Sequence, residues 1–180
     1  NETGLYAELK SSLMDGSAAA EDEFRQVELW LRAAAICRDH LDSMEESESI
    51  YRLVLDTDDE NAKALGALDS MYVAQERREE LELVLAKRAA VCEYDEERMG
   101  LLVRLAELYV QLGDLERAIG AYREVLDLND MHAPTLEALE AIYRDGEAWP
   151  ELFEVLEQLV NCTNENEKRA YYTSDMARLA

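Results

Sequence analysis

Residues Leu105 to Asp130, "LAELYVQLGDLERAIGAYREVLDLND", hold two apolar patterns of helical period on either side of Gly113-Asp114. Gly113 can take the left-handed conformation that stops a helix, and Asp114 can then cap the next one. The stretch predicts a helical hairpin. Its apolar side chains fall on both flanks, and two helices cannot bury both flanks by themselves. Such a hairpin needs neighbours of its own kind.

The chain supplies them. Shifted by 71 residues, "YRLVLDTDDENAKALGALDSMY" from Tyr51 falls on "YREVLDLNDMHAPTLEALEAIY" from Tyr122. From Glu45 to Arg98 the shifted copy matches at 19 of 54 positions, where chance gives about 4. The matches include Tyr51/Tyr122, Val54/Val125, Leu65/Leu136, Leu68/Leu139, Tyr72/Tyr143 and Leu85/Leu156. These recur at helical spacing, so the repeated feature is a buried face. Each 71-residue unit contains two hairpins, and the breaks predict helices over 3–14, 21–40, 43–56, 61–74, 77–91, 95–112, 114–128, 133–145, 148–161 and 165–180. Ser43 and Glu46 have capping-box spacing, and Pro134 and Pro150 lie in first turns, where a missing N–H does no harm.

Composition agrees with an all-α chain. Only 7 Gly and 2 Pro occur in 180 residues, while Ala, Leu, Glu and Arg dominate. Forty-one acidic against 18 basic side chains give a net charge of -23, which repels nucleic acid and anionic lipid. No apolar run is long enough to span a membrane. Cys37, Cys92 and Cys162 have no metal-ligand spacing; their odd number and apolar neighbours predict buried free thiols and a cytoplasmic setting.

The hairpin from Met99 places Leu102, Leu105, Ala106, Tyr109, Ala118 and Tyr122 at positions 4, 7, 8, 11, 20 and 24, and the next hairpin begins 133 − 99 = 34 residues later. In that pattern and length it resembles the tetratricopeptide repeat. Trp30, Ala33, Ala34 and Cys37 match the first helix of another copy; one extra turn residue then brings Ser47 and Tyr51 to positions 20 and 24. The hairpins from Ala62 and Ala133 depart from the pattern. Asp69 and Glu140 stand where the small residue at position 8 belongs, and Leu81 and Leu152 stand at position 20. The resemblance implies an α-solenoid of antiparallel hairpins, a right-handed superhelix of about ten helices. It would be a single array over 1–180: a second helix over 1–20, hairpins over 27–61, 62–98, 99–132 and 133–165, and a further first helix over 166–180. Without polar capping helices, the chain reads as a piece of a longer array, able to self-associate through its ends.

Other motifs fall short of chemistry. "DTDDEN", Asp56 to Asn61, begins like a calcium loop, but Asn61 and Ala67 replace the required glycine and glutamate. It reads as a turn between hairpins. His40 and His132 read as solvated turn residues, and Trp149 as a cover over a hairpin junction. With neither nucleophile motif nor phosphate loop, the segment is expected to be no enzyme and to need no cofactor or metal.

The resemblance further implies that first helices line a concave groove for a peptide or protein. Its candidate residues are Lys63, Gly66, Ser70, Ala74, Val103, Arg104, Glu107, Glu137, Ala141 and Arg144, with Leu31, Ala35 and Gly100 beside them. They are small and mixed in charge, which leaves room for a ligand or merely relieves crowding. The family's chaperone-clamping subtype uses a Lys and Asn set that these positions lack. The alternative to an interaction scaffold is a structural or self-associating arm of a larger enzyme or assembly. In either case each hairpin leans on its neighbours, so hydrogen exchange should show residues 1–14 and 165–180 least protected. Uniform protection would indicate a closed bundle.

Overall fold

The computed structural model of the protein describes residues 2–179. Asn1 and Ala180, which the expected array includes, lie outside the described residues. The described chain is helical throughout: α1 (Glu2–Ala18), α2 (Glu23–His40), α3 (Met44–Thr57), α4 (Ala62–Ala74), α5 (Arg78–Val91), α6 (Asp95–Leu112), α7 (Leu115–Leu128), α8 (Ala133–Asp145), α9 (Trp149–Cys162) and α10 (Asn166–Leu179). Two compact units divide it after Val91. In the first, α2 pairs with α3 and α4 with α5; α3 meets α4, and α1 lies on α2. In the second, α6 pairs with α7 and α8 with α9; α7 meets α8, and α10 lies on α9.

Helix ends follow the sequence reading closely except in α1, which continues through Asp15-Gly16-Ser17 to Ala18. That run resembles a break, but packing overrides it. A Cβ at Gly16 would stand 3.7 Å from Leu29 Cδ1, and the buried Ser17 hydroxyl donates to the Met14 carbonyl at 2.7 Å.

All four hairpin turns contain one left-handed residue: Asp42, Glu76, Gly113 and Glu147. Only one of them is glycine. The residue after each donates its N–H back into the preceding helix, Arg77 to Tyr72, Asp114 to Tyr109 and Ala148 to Tyr143. In the first hairpin Ser43 reaches Cys37, one residue further back, which is the extra turn residue seen in the sequence. Asp22, Asn61 and Asp114 cap their helices, accepting from the N–H groups of Arg25, Ala64 and Arg117. The capping box at Ser43 does not form. Its hydroxyl makes no cap bond, and Glu46 turns instead to Lys10, 2.6 Å away on α1, and to the Cys37 thiol.

Ala34, Ala106 and Ala118 are fully buried, as are Leu65, Leu68, Leu136, Leu139, Tyr51 and Tyr122. Ser47, at the position equivalent to Ala118, is also fully buried, and its hydroxyl donates to the Ala34 carbonyl at 2.9 Å. The two hairpins with small residue pairs pack their helices together more extensively than the other two. Where the small pair is missing, Asp69 is only 3% exposed and is held by Arg88 from α5, while Glu140 is held by Arg144. The sequence departures are thus ion pairs.

Three smaller expectations need correction. His132 is half-buried, not solvated: it precedes α8 with Nδ1 2.8 Å from Thr135 Oγ1. Trp149 opens α9 with 45% of its surface exposed, too open to cover a junction. All three cysteines are free, but only Cys37 is buried; Cys92 and Cys162 sit nearer helix ends and are half-buried.

Replacing Ala106 by Leu should overpack the α6–α7 contact and cost about 1–3 kcal/mol, read as a lower urea midpoint. An unchanged midpoint would mean that the helices do not meet at this residue.

Candidate functional site

In the first unit the structure gathers several expected groove residues. Leu31 and Ala35 on α2 face Lys63, Gly66 and Ser70 on α4 across an open cavity of about 400 Å³. Tyr51 and Arg38 also line it, which the sequence reading missed because neither has a repeat signature for ligand contact. Ala74, the last residue of α4, is exposed but does not line this cavity.

The wall is small for different local reasons. The Ser70 hydroxyl is turned back onto its own helix, donating to the Gly66 carbonyl at 3.0 Å. A Cβ at Gly66 would meet no heavy atom within 4 Å, so packing does not demand a glycine there. Arg38 donates to Asp39 at 2.7 Å and to the Tyr51 hydroxyl at 3.4 Å. That guanidinium holds the Asp39 carboxyl below the usual carboxylate range, while burial pushes the Tyr51 phenol up. The cavity therefore has an apolar side, a small-residue side and two cationic side chains in its lining.

A larger cavity of about 640 Å³ adjoins it and shares Leu31 and Lys63. It lies between the start of α2 and the turn from α3 to α4. In that turn Asn61 caps α4 and donates to Asp58 at 2.8 Å, while Lys87 reaches Asp59 at 2.5 Å. The calcium-like sequence is a turn between hairpins.

The second unit distributes its candidates differently. On α6, Val103 is half-buried and Arg104 and Glu107 are exposed; on α8, Glu137 and Ala141 are exposed. Glu107 adds its charge to burial in pushing the Tyr122 phenol up. Glu137 accepts from the Tyr172 hydroxyl at 3.4 Å and stands 3.7 Å from Lys168. Burial, then the Glu137 charge, pushes Tyr172 up to about 12. Arg144 joins Glu140 to Asp175 of α10, and both carboxylates hold its guanidinium more firmly charged. Two candidates on α8 are thus committed to α10.

Cys37 is the one fully buried thiol among the described residues, and burial, then the Glu46 charge, pushes it up to about 11. It is a neutral core residue at physiological pH. No helix among the described residues is long and apolar enough to cross a membrane.

Residues 101–130 match the family model of the tetratricopeptide repeat. No curated protein matches the chain. The chain is similar to the solved structure of YrrB, described as a TPR protein with an unusual peptide-binding site. That match has 14% identity over 83% of this chain and 75% of the other, with a TM-score of 0.55. It is also similar to pilF of Pseudomonas aeruginosa, with 14% identity, 97% and 93% coverage and a TM-score of 0.51. MamA matches with 15% identity, 97% and 92% coverage and a TM-score of 0.51. At these identities the likeness is one of fold: helical hairpins in array.

Arg144→Met should destabilise the second unit by about 1–3 kcal/mol, because it leaves the part-buried Glu140 and Asp175 carboxylates facing each other. Chemical denaturation measures the loss. It should fall short of a fully buried pair, since Arg144 is itself 36% exposed. No loss would mean that Arg144 does not bridge them.

Proposed function

We propose that this chain, whose residues 101–130 match the tetratricopeptide-repeat model and whose helical hairpins share the fold of such arrays, is a protein-interaction scaffold. A peptide or protein segment lies against the first helices of its hairpins. The observation that carries this reading is the cavity between α2 and α4, walled by Ala35, Gly66 and Ser70. Relief of crowding does not account for Gly66 in that wall, because a side chain there would project into open space, as would one at Gly100 on α6. Small residues kept without a packing need leave room for a ligand backbone and expose helix surface to it. YrrB, described with a peptide-binding site, shares the fold. In the second unit Val103, Arg104, Glu107 and Ala141 are the corresponding contact positions, and Lys63 and Ala74 extend the face in the first.

The test is selection of peptides from a random display library, followed by fluorescence anisotropy. Ser70→Arg should weaken the selected peptides at least tenfold and Ala141→Arg should weaken those that reach the second unit. Leu83→Arg, on the opposite helix of its hairpin at a side chain 70% exposed, should change nothing. Affinity unaffected by Ser70→Arg and Ala141→Arg at low and high salt would move the binding surface to the acidic outer helices.

A further inference from the structure

The larger cavity of the first unit has a chemistry that the repeat does not explain. Its apolar part is a strip of α2, Phe24, Val27 and Leu31. Val27 is buried and Leu31 half-buried, as the hairpin requires, but Phe24 is 78% exposed. Around the strip stand carboxylates. Asp58 accepts from the neutral Asn61 amide and keeps its charge, and Asp59 is paired with Lys87, which also acts on Glu60. Glu23 and Glu28 add to the acidic rim, whose lining includes one cation, Lys63.

The chain carries its own comparison for this strip. With the extra turn residue, α2 is offset from α6 by 72 residues, so Val27 and Leu31 correspond to Met99 and Val103. Those positions stay apolar in both copies. Phe24 and Glu28 correspond to Glu96 and Gly100, and Glu60, at the 71-residue offset, to Met131. Both copies form the same hairpin, so the hairpin does not require an exposed phenylalanine between carboxylates. A cavity of about 640 Å³ also exceeds what one side chain fills, and it runs into the Gly66 and Ser70 wall through Leu31 and Lys63.

We infer that this cavity receives a bulky apolar side chain flanked by lysine or arginine, at one end of a segment that continues along the Gly66 and Ser70 wall. The inference rests on the groove reading above and adds the chemistry of its ligand. The apolar side chain covers Phe24 and removes both surfaces from water. The flanking cations meet Glu23, Glu28 and Glu60, and Phe24 offers them a ring face. An acidic flank would meet like charge and be refused. The charges lie at an open rim, so the attraction should weaken with salt.

The probes are three synthetic nonapeptides, Gly-Ser-Gly-Lys-Leu-Lys-Gly-Ser-Gly and versions with Glu-Leu-Glu or Lys-Ser-Lys at the centre. Each is titrated into the isotope-labelled full chain and followed by NMR. The Lys-Leu-Lys peptide should move the signals of Phe24, Glu28, Leu31 and Glu60 saturably, and its affinity should fall severalfold when salt rises about tenfold. Phe24→Ser and the double variant Glu28→Lys with Glu60→Lys should each lower that affinity at least fivefold. Both change exposed side chains, and circular dichroism checks that the helices remain. Equal binding of the Glu-Leu-Glu or Lys-Ser-Lys peptide would overturn the inference. So would a Lys-Leu-Lys peptide that moves none of these signals, or whose binding survives both variants. Library-selected peptides that lose affinity on Ser70→Arg but not on Phe24→Ser would overturn it while leaving the groove reading intact.

Discussion

Two helices of a hairpin can cross closely only where neither presents a side chain longer than Cβ or a hydroxyl. Ala34 with Ser47, and Ala106 with Ala118, meet that condition, and the Ser47 hydroxyl bonded to the Ala34 carbonyl marks how near the backbones come. Once this distance is set, the larger residues have fixed places. Leu65, Leu68, Tyr51 and Tyr72 are driven to the surfaces between hairpins, where the next pair of helices buries them. The small contact and the stack are two sides of one packing problem.

The alternate hairpins solve it with charge. Asp69 and Glu140 occupy the close-contact position and draw in Arg88 and Arg144, keeping a negative group at low exposure without leaving it unpaired. A further polar tie repeats with the period of the chain. Arg52 donates to the Tyr72 hydroxyl at 3.2 Å, and Arg123 to the Tyr143 hydroxyl at 3.1 Å, joining the second helix of one hairpin to the first helix of the next. In the first unit Glu48 and Arg77 enlarge this tie, with Arg77 stacked over the Tyr72 ring. A chain of net charge -23 thus sets several of its cations, among them Arg52, Arg88, Arg123 and Arg144, where they bridge helices.

Helices, turns and buried faces were legible in the sequence because each rests on local periodicity or on one residue type with one job. Gly113 and Asp114 announced a turn, and Tyr51 and Tyr122 announced an interface. The turns at Asp42, Glu76 and Glu147 were legible only as breaks, since their left-handed backbone is imposed by the hairpin on residues that do not prefer it. Of the groove candidates, Lys63, Gly66 and Ser70 come together as their spacing on α4 implies. Glu137 and Arg144 have the same helical placement, yet α10 engages them, and no pattern within α8 records that neighbour. The cavity beside Phe24 was equally silent. An exposed phenylalanine gains meaning only from the turn that folds back beside it.

The repeat of 71 residues has a consequence for how such a chain can change in length. An alanine-type hairpin is followed by a carboxylate-type hairpin, and the contacts between α3 and α4 and between α7 and α8 join one kind to the other. The inheritable module is therefore the pair, and a lone hairpin is half a word. A copy of residues 27–98 carries within it the α3–α4 joint between the two kinds. Copying 27–61 alone would set two alanine-type hairpins side by side, a junction that neither unit contains. Lineages of this protein should accordingly gain and lose hairpins in twos, and a designer lengthening it should count the same way.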